Sequence, residues 1–245
     1  MKRILCYGDS NTWGYISGTD HLRYGSDERW TKLLQQKLGP NFEVIEEGLN
    51  SRTLCSDDNR PGKEGRNGFT YLKPCMDSHD KIDYIIIMLG TNELKCGYNN
   101  SAENIVEMMK KYINFILDYK SQIDGTHPEI IISCPPLVKE DKSASRSENK
   151  YLGAEEKSIK LNNLLFEFCK SHGLTFIDNN DLSVGIDGVH LTKESHSALA
   201  QRLAELFLKI CEEIWYLTKN MLVLLLLLKW NPFWKNMENL SNLKK

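Results

Sequence analysis

The sequence lacks a charge imbalance, cysteine pairs at metal-ligand spacing and a long apolar run, and each absence removes a class of function. Its 31 Lys and Arg stand against 33 Asp and Glu, a formal net charge of −2, so no strongly basic face is available for nucleic acid. Lys139, Lys142 and Arg146 share their stretch with Glu140, Asp141 and Glu148, so even that segment is mixed. The seven cysteines form no CxxC pair and their number is odd, which argues against a disulfide framework and a cysteine-based zinc site. Met221–Leu228 is an apolar run of eight, closed by Lys219 and Lys229, far short of the about 20 residues that span a bilayer. After Lys2-Arg3 only Ile4–Tyr7 precede Gly8, too short for a signal-peptide core. A cytoplasmic protein with reduced thiols is therefore expected. The phosphate-binding patterns GxxxxGK[ST] and GxGxxG are missing. So is the G-x-S-x-G elbow of the α/β-hydrolases.

What is present is an alternation of strand and helix signals. With 245 residues, 41% of them apolar, the chain is long enough for one α/β domain with a sizeable core. Short apolar runs predict strands over Arg3–Tyr7, Phe42–Glu47, Tyr84–Leu89, Glu129–Ser133 and Leu174–Ile177. The isoleucines of 84–89 suit a parallel strand covered on both faces. Helical spacing predicts helices over Asp27–Leu38, Ser101–Tyr119, Ala154–Ser171 and Lys193–Trp215, the last with Ala198, Leu199, Leu203, Leu206, Phe207, Ile210 and Ile214 on one stripe. Residues 52–70 read as a long polar loop, of the kind that is usually functional or disordered. Residues 139–150 read as a charged, loose segment. The expected fold is a three-layer α/β/α domain with a five-stranded, parallel, doubly wound sheet of flavodoxin-like type. That domain is expected to cover 1–217, with the Leu-rich 218–245 as an appendage outside it.

In such a sheet the crevice lies beyond the carboxyl ends of the strands. Four polar blocks fall there: Gly8-Asp9-Ser10-Asn11-Thr12, Glu47–Thr53, Gly90-Thr91-Asn92-Glu93 and Asp187-Gly188-Val189-His190. Each alone has a plain explanation. Ser10 can cap a helix, Asn92 can serve a turn, and Asp187 and His190 can belong to a surface loop. Together they supply a hydroxyl nucleophile, the histidine base that activates it, and the carboxylate that orients the histidine. The Ser10 amide, an amide of the Asn50-Ser51 turn and the Asn92 side chain then offer oxyanion donors. No cofactor is needed for such chemistry. The spacing of His190 and His196 puts their rings on different faces of a helix, so no metal pair is expected.

The ordered blocks GDSNT, EGLNSRT, GTNE and DGVH resemble the SGNH (GDSL-type) hydrolase family across about residues 3–214. The text around them, YGDSNTWGY, DERWTKLLQQKLG, FEVIEEGLNSRT, NGFTYLKPCMDSH, DYIIIMLGTNELK and IDGVHLT, is similar to the bacterial arylesterase and acyltransferase branch. The resemblance implies a metal-free serine esterase for short-chain or aryl esters, with acyl transfer to alcohols or peroxide and homo-oligomers in some members. By position it implies Ser10 as nucleophile, Asp187 and His190 as the rest of a triad, and Ser10, Ser51 and Asn92 as oxyanion donors. Ser51 falls where the family has glycine, Asn11 where it has leucine, and Glu93 where it usually has aspartate. Asn11 and Trp13 are candidate pocket residues, Trp13 with packing under the first helix as its alternative. Arg52, Asp57 and Arg66 are expected to hold the long loop together. The alternative substrate within this fold is an O-acetylated carbohydrate. The alternative of another class is a non-catalytic module that cradles a phosphate on Gly8–Thr12.

Overall fold

The computed structural model describes residues 1–143 and 150–229. Residues 144–149 of the charged stretch and 230–245 of the expected appendage lie outside the described residues, and so do the side chains of Ser143, Ile214 and residues 222–229. Five strands, β1 (Lys2–Gly8), β2 (Phe42–Gly48), β3 (Tyr84–Met88), β4 (Glu129–Ser133) and β5 (Thr175–Ile177), form one parallel sheet in the order β2-β1-β3-β4-β5. Around it run α1 (Ser10–Trp13), α2 (Trp30–Leu38), α3 (Gly68–Ser78), α4 (Ala102–Asp118), α5 (Glu140–Ser143), α6 (Ala154–Ser171) and α7 (Lys193–Lys229). The three-layer parallel α/β architecture read from the sequence is the observed one.

Alternation along the strands divides the core between two faces. Leu5, Tyr7, Ile85, Ile87, Ile130 and Ile132 join one apolar cluster with residues of α3, α4 and α6. Ile4, Cys6 and Ile86 point the other way and are equally buried. The helix α2 packs against β2 and buries Trp30 and Leu34. Both faces of β1 and β3 are therefore covered, which is why their sequences are nearly unbroken apolar runs. Strand order reverses between β1 and β3, so the crevice opens at the carboxyl ends of these two strands. The blocks 8–12 and 90–93 leave the sheet there.

Several elements differ from the sequence expectation. The helix α3 is unannounced because Gly68 opens it and Pro74 sits inside it, two residues that disfavour helix. It forms because Asn67 Oδ1 caps the Phe69 amide at 3.2 Å and Leu72, Cys75 and Met76 are buried. The polar loop therefore ends at Asn67. The helix α2 starts at Trp30 rather than Asp27. The segment 139–143 is not loose: Lys139 pairs with Glu155 at 2.8 Å and donates its amide to the Gly188 carbonyl at 2.8 Å. Lys142 Nζ reaches the Val184 carbonyl at 3.1 Å.

The chain divides into two compact units, Met1–Arg202 and Leu203–Lys245. The first holds the whole sheet and all four polar blocks. In the second, α7 continues past Trp215 and Leu217 to Lys229, because no glycine or proline interrupts it. Trp215, Tyr216, Leu217 and Met221 are exposed there, and the Lys219 ammonium lies 4.8 Å from the centre of the Trp215 ring. Among the described residues no helix is long and apolar enough to cross a membrane.

Candidate active site

The end of β1 builds the first half of the site. Asp9 caps α1 by accepting the Asn11 amide at 2.9 Å, so Ser10 becomes the first residue of a one-turn helix, where an N–H has no partner within the helix. Close packing under this turn explains a glycine in β2: a Cβ on Gly48 would come 2.2 Å from the Trp13 nitrogen. Ser10 is 7% exposed and its Oγ lies 2.9 Å from His190 Nε2.

The loop before α7 builds the second half. Gly188 takes φ +70°, a left-handed turn that folds the Asp187 carboxylate back over its own loop. Asp187 Oδ1 accepts the amides of Val189 and His190, each at 3.0 Å, and Oδ2 lies 2.7 Å from His190 Nδ1. An ionised carboxylate only accepts, so Nδ1 carries the ring proton and Nε2 is left to accept from the Ser10 hydroxyl. Burial raises the Asp187 pKa, but the hydrogen bond from His190, the attraction of the imidazolium that ring forms on protonation and the two amides outweigh it and hold the carboxyl well below its usual range. The sequence expectation thus finds Ser10, Asp187 and His190 in one hydrogen-bonded line.

Two further residues brace this line, and the sequence reading did not include Tyr15. Tyr15 stacks on the His190 ring with centroids 4.3 Å apart, and its hydroxyl is tied to the Thr19 carbonyl at 2.7 Å. Only its closeness to the GDSNT block hinted at this. Asn11, the other expected pocket residue, holds the histidine loop. It is 1% exposed, accepts the Leu191 amide at 2.9 Å and donates to the Val189 carbonyl at 3.3 Å. Its amide does for the histidine loop what a leucine cannot, which is to satisfy two buried backbone groups. Trp13 is half-buried, with the Arg23 guanidinium 5.1 Å over its ring.

The expected donors come from the ends of β2 and β3. Ser51 has φ +67°, a left-handed conformation that suits glycine and strains a residue with a Cβ. Asn92 is 3% exposed; its Nδ2 donates to the Arg52 carbonyl at 2.9 Å and its Oδ1 accepts from Lys95 Nζ at 2.6 Å. An amide nitrogen carries two hydrogens, so one remains for another acceptor. Arg52 does more than close the loop: buried against the Tyr7 ring at 4.2 Å, it donates to the carbonyls of Gly8, at 3.0 Å, and Glu47. Asp57 and Arg66 stay within the loop, bonded to Asn67 and to the Glu64 carbonyl. Glu93 is fully buried and accepts the Leu54 amide; burial pushes its pKa up to about 7.

The other groups of interest lie apart from this line. His196 is buried, with the Trp30 amide on its Nδ1 at 3.3 Å and the Tyr24 ring edge-on at 4.9 Å. Burial lowers its pKa to about 3, so it is neutral. Glu47, Cys75 and His79 gather their ligand atoms within 4.8 Å of one another, and Glu47 already bonds His79 at 2.9 Å.

Comparison with known proteins gives one family and one group of structures. The family model of GDSL-like lipases and acylhydrolases matches residues 4–203. The native aryl esterase of M. smegmatis is 33% identical, with a TM-score of 0.77 over 85% of this chain and 99% of that one. A carbohydrate acetylesterase from Sinorhizobium meliloti is 32% identical, with a TM-score of 0.78 over 86% of this chain and all of that one. A putative arylesterase from Agrobacterium tumefaciens is 29% identical, with a TM-score of 0.76 over 86% and 100%. No curated protein sequence matches significantly. With the family match covering most of the chain, the protein belongs to the GDSL-like lipase/acylhydrolase family and is a serine ester hydrolase.

Proposed function

We propose that the protein hydrolyses short-chain and aryl esters through an acyl-enzyme on Ser10. The observation that carries this reading is the line Ser10 Oγ–His190 Nε2–Asp187, with contacts of 2.9 and 2.7 Å. His190 takes the Ser10 proton as Oγ bonds to the ester carbonyl carbon. The carbonyl oxygen becomes an oxyanion, received by the Ser10 amide, the Ser51 amide and the Asn92 side chain. Collapse breaks the ester C–O bond, and His190 passes its proton to the departing alcohol. Water then enters, gives its proton to His190 and releases the acid, returning the proton to Ser10. Asp187 keeps its charge throughout and stabilises the imidazolium. An alcohol or peroxide replacing water in the second half would turn hydrolysis into acyl transfer.

The phosphate-cradle alternative is disfavoured by chemistry at α1. Its amide end already holds the Asp9 carboxylate, and a second anion there would meet like charge. A carbohydrate O-acetyl ester is the second substrate reading, supported by the similarity to the Sinorhizobium meliloti acetylesterase. The catalytic domain is read as 1–217 with 218–245 as an appendage, in a cytoplasmic protein that is able to form homo-oligomers. The free state of all seven cysteines fits a reducing compartment. A panel of p-nitrophenyl acetate, phenyl acetate and acetylated xylo-oligosaccharides tests the substrate. Faster turnover of the aryl esters supports the first reading, and a preference for the sugar acetates selects the second. A Ser10→Ala variant with undiminished rates on every ester overturns both.

A further inference from the structure

We propose that Lys95 is a positioning residue for ester hydrolysis: its ammonium, bound to the Asn92 amide oxygen, sets the direction of that amide and strengthens its N–H toward the oxyanion. This rests on the reading of Asn92 as an oxyanion donor. Lys95 Nζ donates to Asn92 Oδ1 at 2.6 Å, the short distance of a charge-assisted bond. An ammonium has no acceptor, so it fixes the oxygen of Asn92 on its own side and the NH2 group on the other. There Nδ2 meets the Arg52 carbonyl at 2.9 Å, in the turn that carries Ser51. A cation at an amide oxygen draws electron density from the amide nitrogen and makes its hydrogens better donors, an effect that grows in a low-dielectric site. Asn92 and Lys95 sit on one short turn, so this arrangement is set locally, before any substrate arrives.

The surroundings show why a lysine here is unusual. Burial lowers its pKa to about 8, Arg60 and Lys150 push in the same direction, and Asp58 and Asp9 oppose them. The ring of Tyr151 lies 5.9 Å from Nζ, and the buried carboxyl of Glu93 is two residues away in the chain. Lys95 also lines a cavity of about 400 Å³ with Asp58, Arg60, Tyr98 and Lys150. That cavity gives Nζ a route for proton exchange with solvent. The ammonium is therefore present at neutral pH and lost as pH rises through about 8, and the strengthened donor is lost with it.

The test is steady-state hydrolysis of p-nitrophenyl acetate by wild type, Lys95→Met, Lys95→Arg, Asn92→Ala and the Asn92→Ala/Lys95→Met double variant, between neutral and alkaline pH. Deleting an oxyanion donor costs about 10²–10³ in kcat. Weakening one is expected to cost less, about tenfold, with KM nearly unchanged because the effect belongs to the transition state. In the Asn92→Ala background Lys95→Met should cost nothing more. The wild-type kcat should decline above about pH 8, and Lys95→Arg, which stays charged, should remove that decline. Full kcat in Lys95→Met, or losses that multiply in the double variant, overturns the proposal. If Lys95→Met does not fold, an alkaline decline unchanged in Lys95→Arg overturns it instead. A full kcat in Asn92→Ala is a separate result: it removes Asn92 from the oxyanion site, and the role of Lys95 with it.

Discussion

The two sides of the proposed active site are built from different materials. The proton-transfer side is a chain of side chains: Ser10, His190 and Asp187, braced by Asn11 and Tyr15. The proposed oxyanion side is mostly backbone: the amide of Ser10, the left-handed turn at Ser51, and one amide group, Asn92, held between a carbonyl and a lysine. The first side depends on residue identity and the second on conformation. Substitution should therefore be most costly on the first side, and strain should be found on the second.

The largest effect that would break this contrast is expected at Asp187. Asp187→Asn keeps the shape but lets an amide NH2 face His190 Nδ1, favouring the wrong tautomer. A drop in kcat of about 10⁴ is expected, measured with p-nitrophenyl acetate. A loss smaller than that of Asn92→Ala would reverse the order of the two sides. The smallest effect sharpens it. Ser51→Gly should remove part of the left-handed strain, about 1 kcal/mol, and raise the thermal midpoint by about 2–4 °C for a chain of this size. A lower midpoint in calorimetry would mean that the turn is relaxed with serine in place.

The same contrast explains what the sequence made legible. Residue identity is written in a sequence, so GDSNT and DGVH, which stand 177 to 180 residues apart between Ser10, Asp187 and His190, could be paired before any geometry was known. The strands were equally readable, most plainly in the middle of the sheet, where burial on both faces leaves runs such as Tyr84–Met88 without a polar residue. Conformation is written less plainly. The helix α3 hid behind Gly68 and Pro74, since its stability comes from the burial of Leu72 and Met76 and not from local preference. The position of Asn11 after the serine suggests a pocket residue and says nothing of its hold on the histidine loop. Its partners, the backbone groups of Val189 and Leu191, are 178 and 180 residues away, and no local pattern points to them. Lys95 belonged to the same readable block as Asn92, but its contact with the amide oxygen depends on how the short turn Asn92–Leu94 closes.

Ser10 is the proposed site of acylation, and a fluorophosphonate probe reads it out. Such a probe reacts with a serine only where a base removes the hydroxyl proton and donors receive the phosphonyl oxygen, so it reports on both sides of the site at once. After labelling and digestion, mass spectrometry should find the adduct on the peptide containing Gly8-Asp9-Ser10-Asn11-Thr12, and labelling should disappear in His190→Ala. An adduct on another residue, or a fully active enzyme with Ser10 unmodified after treatment, would contradict the account.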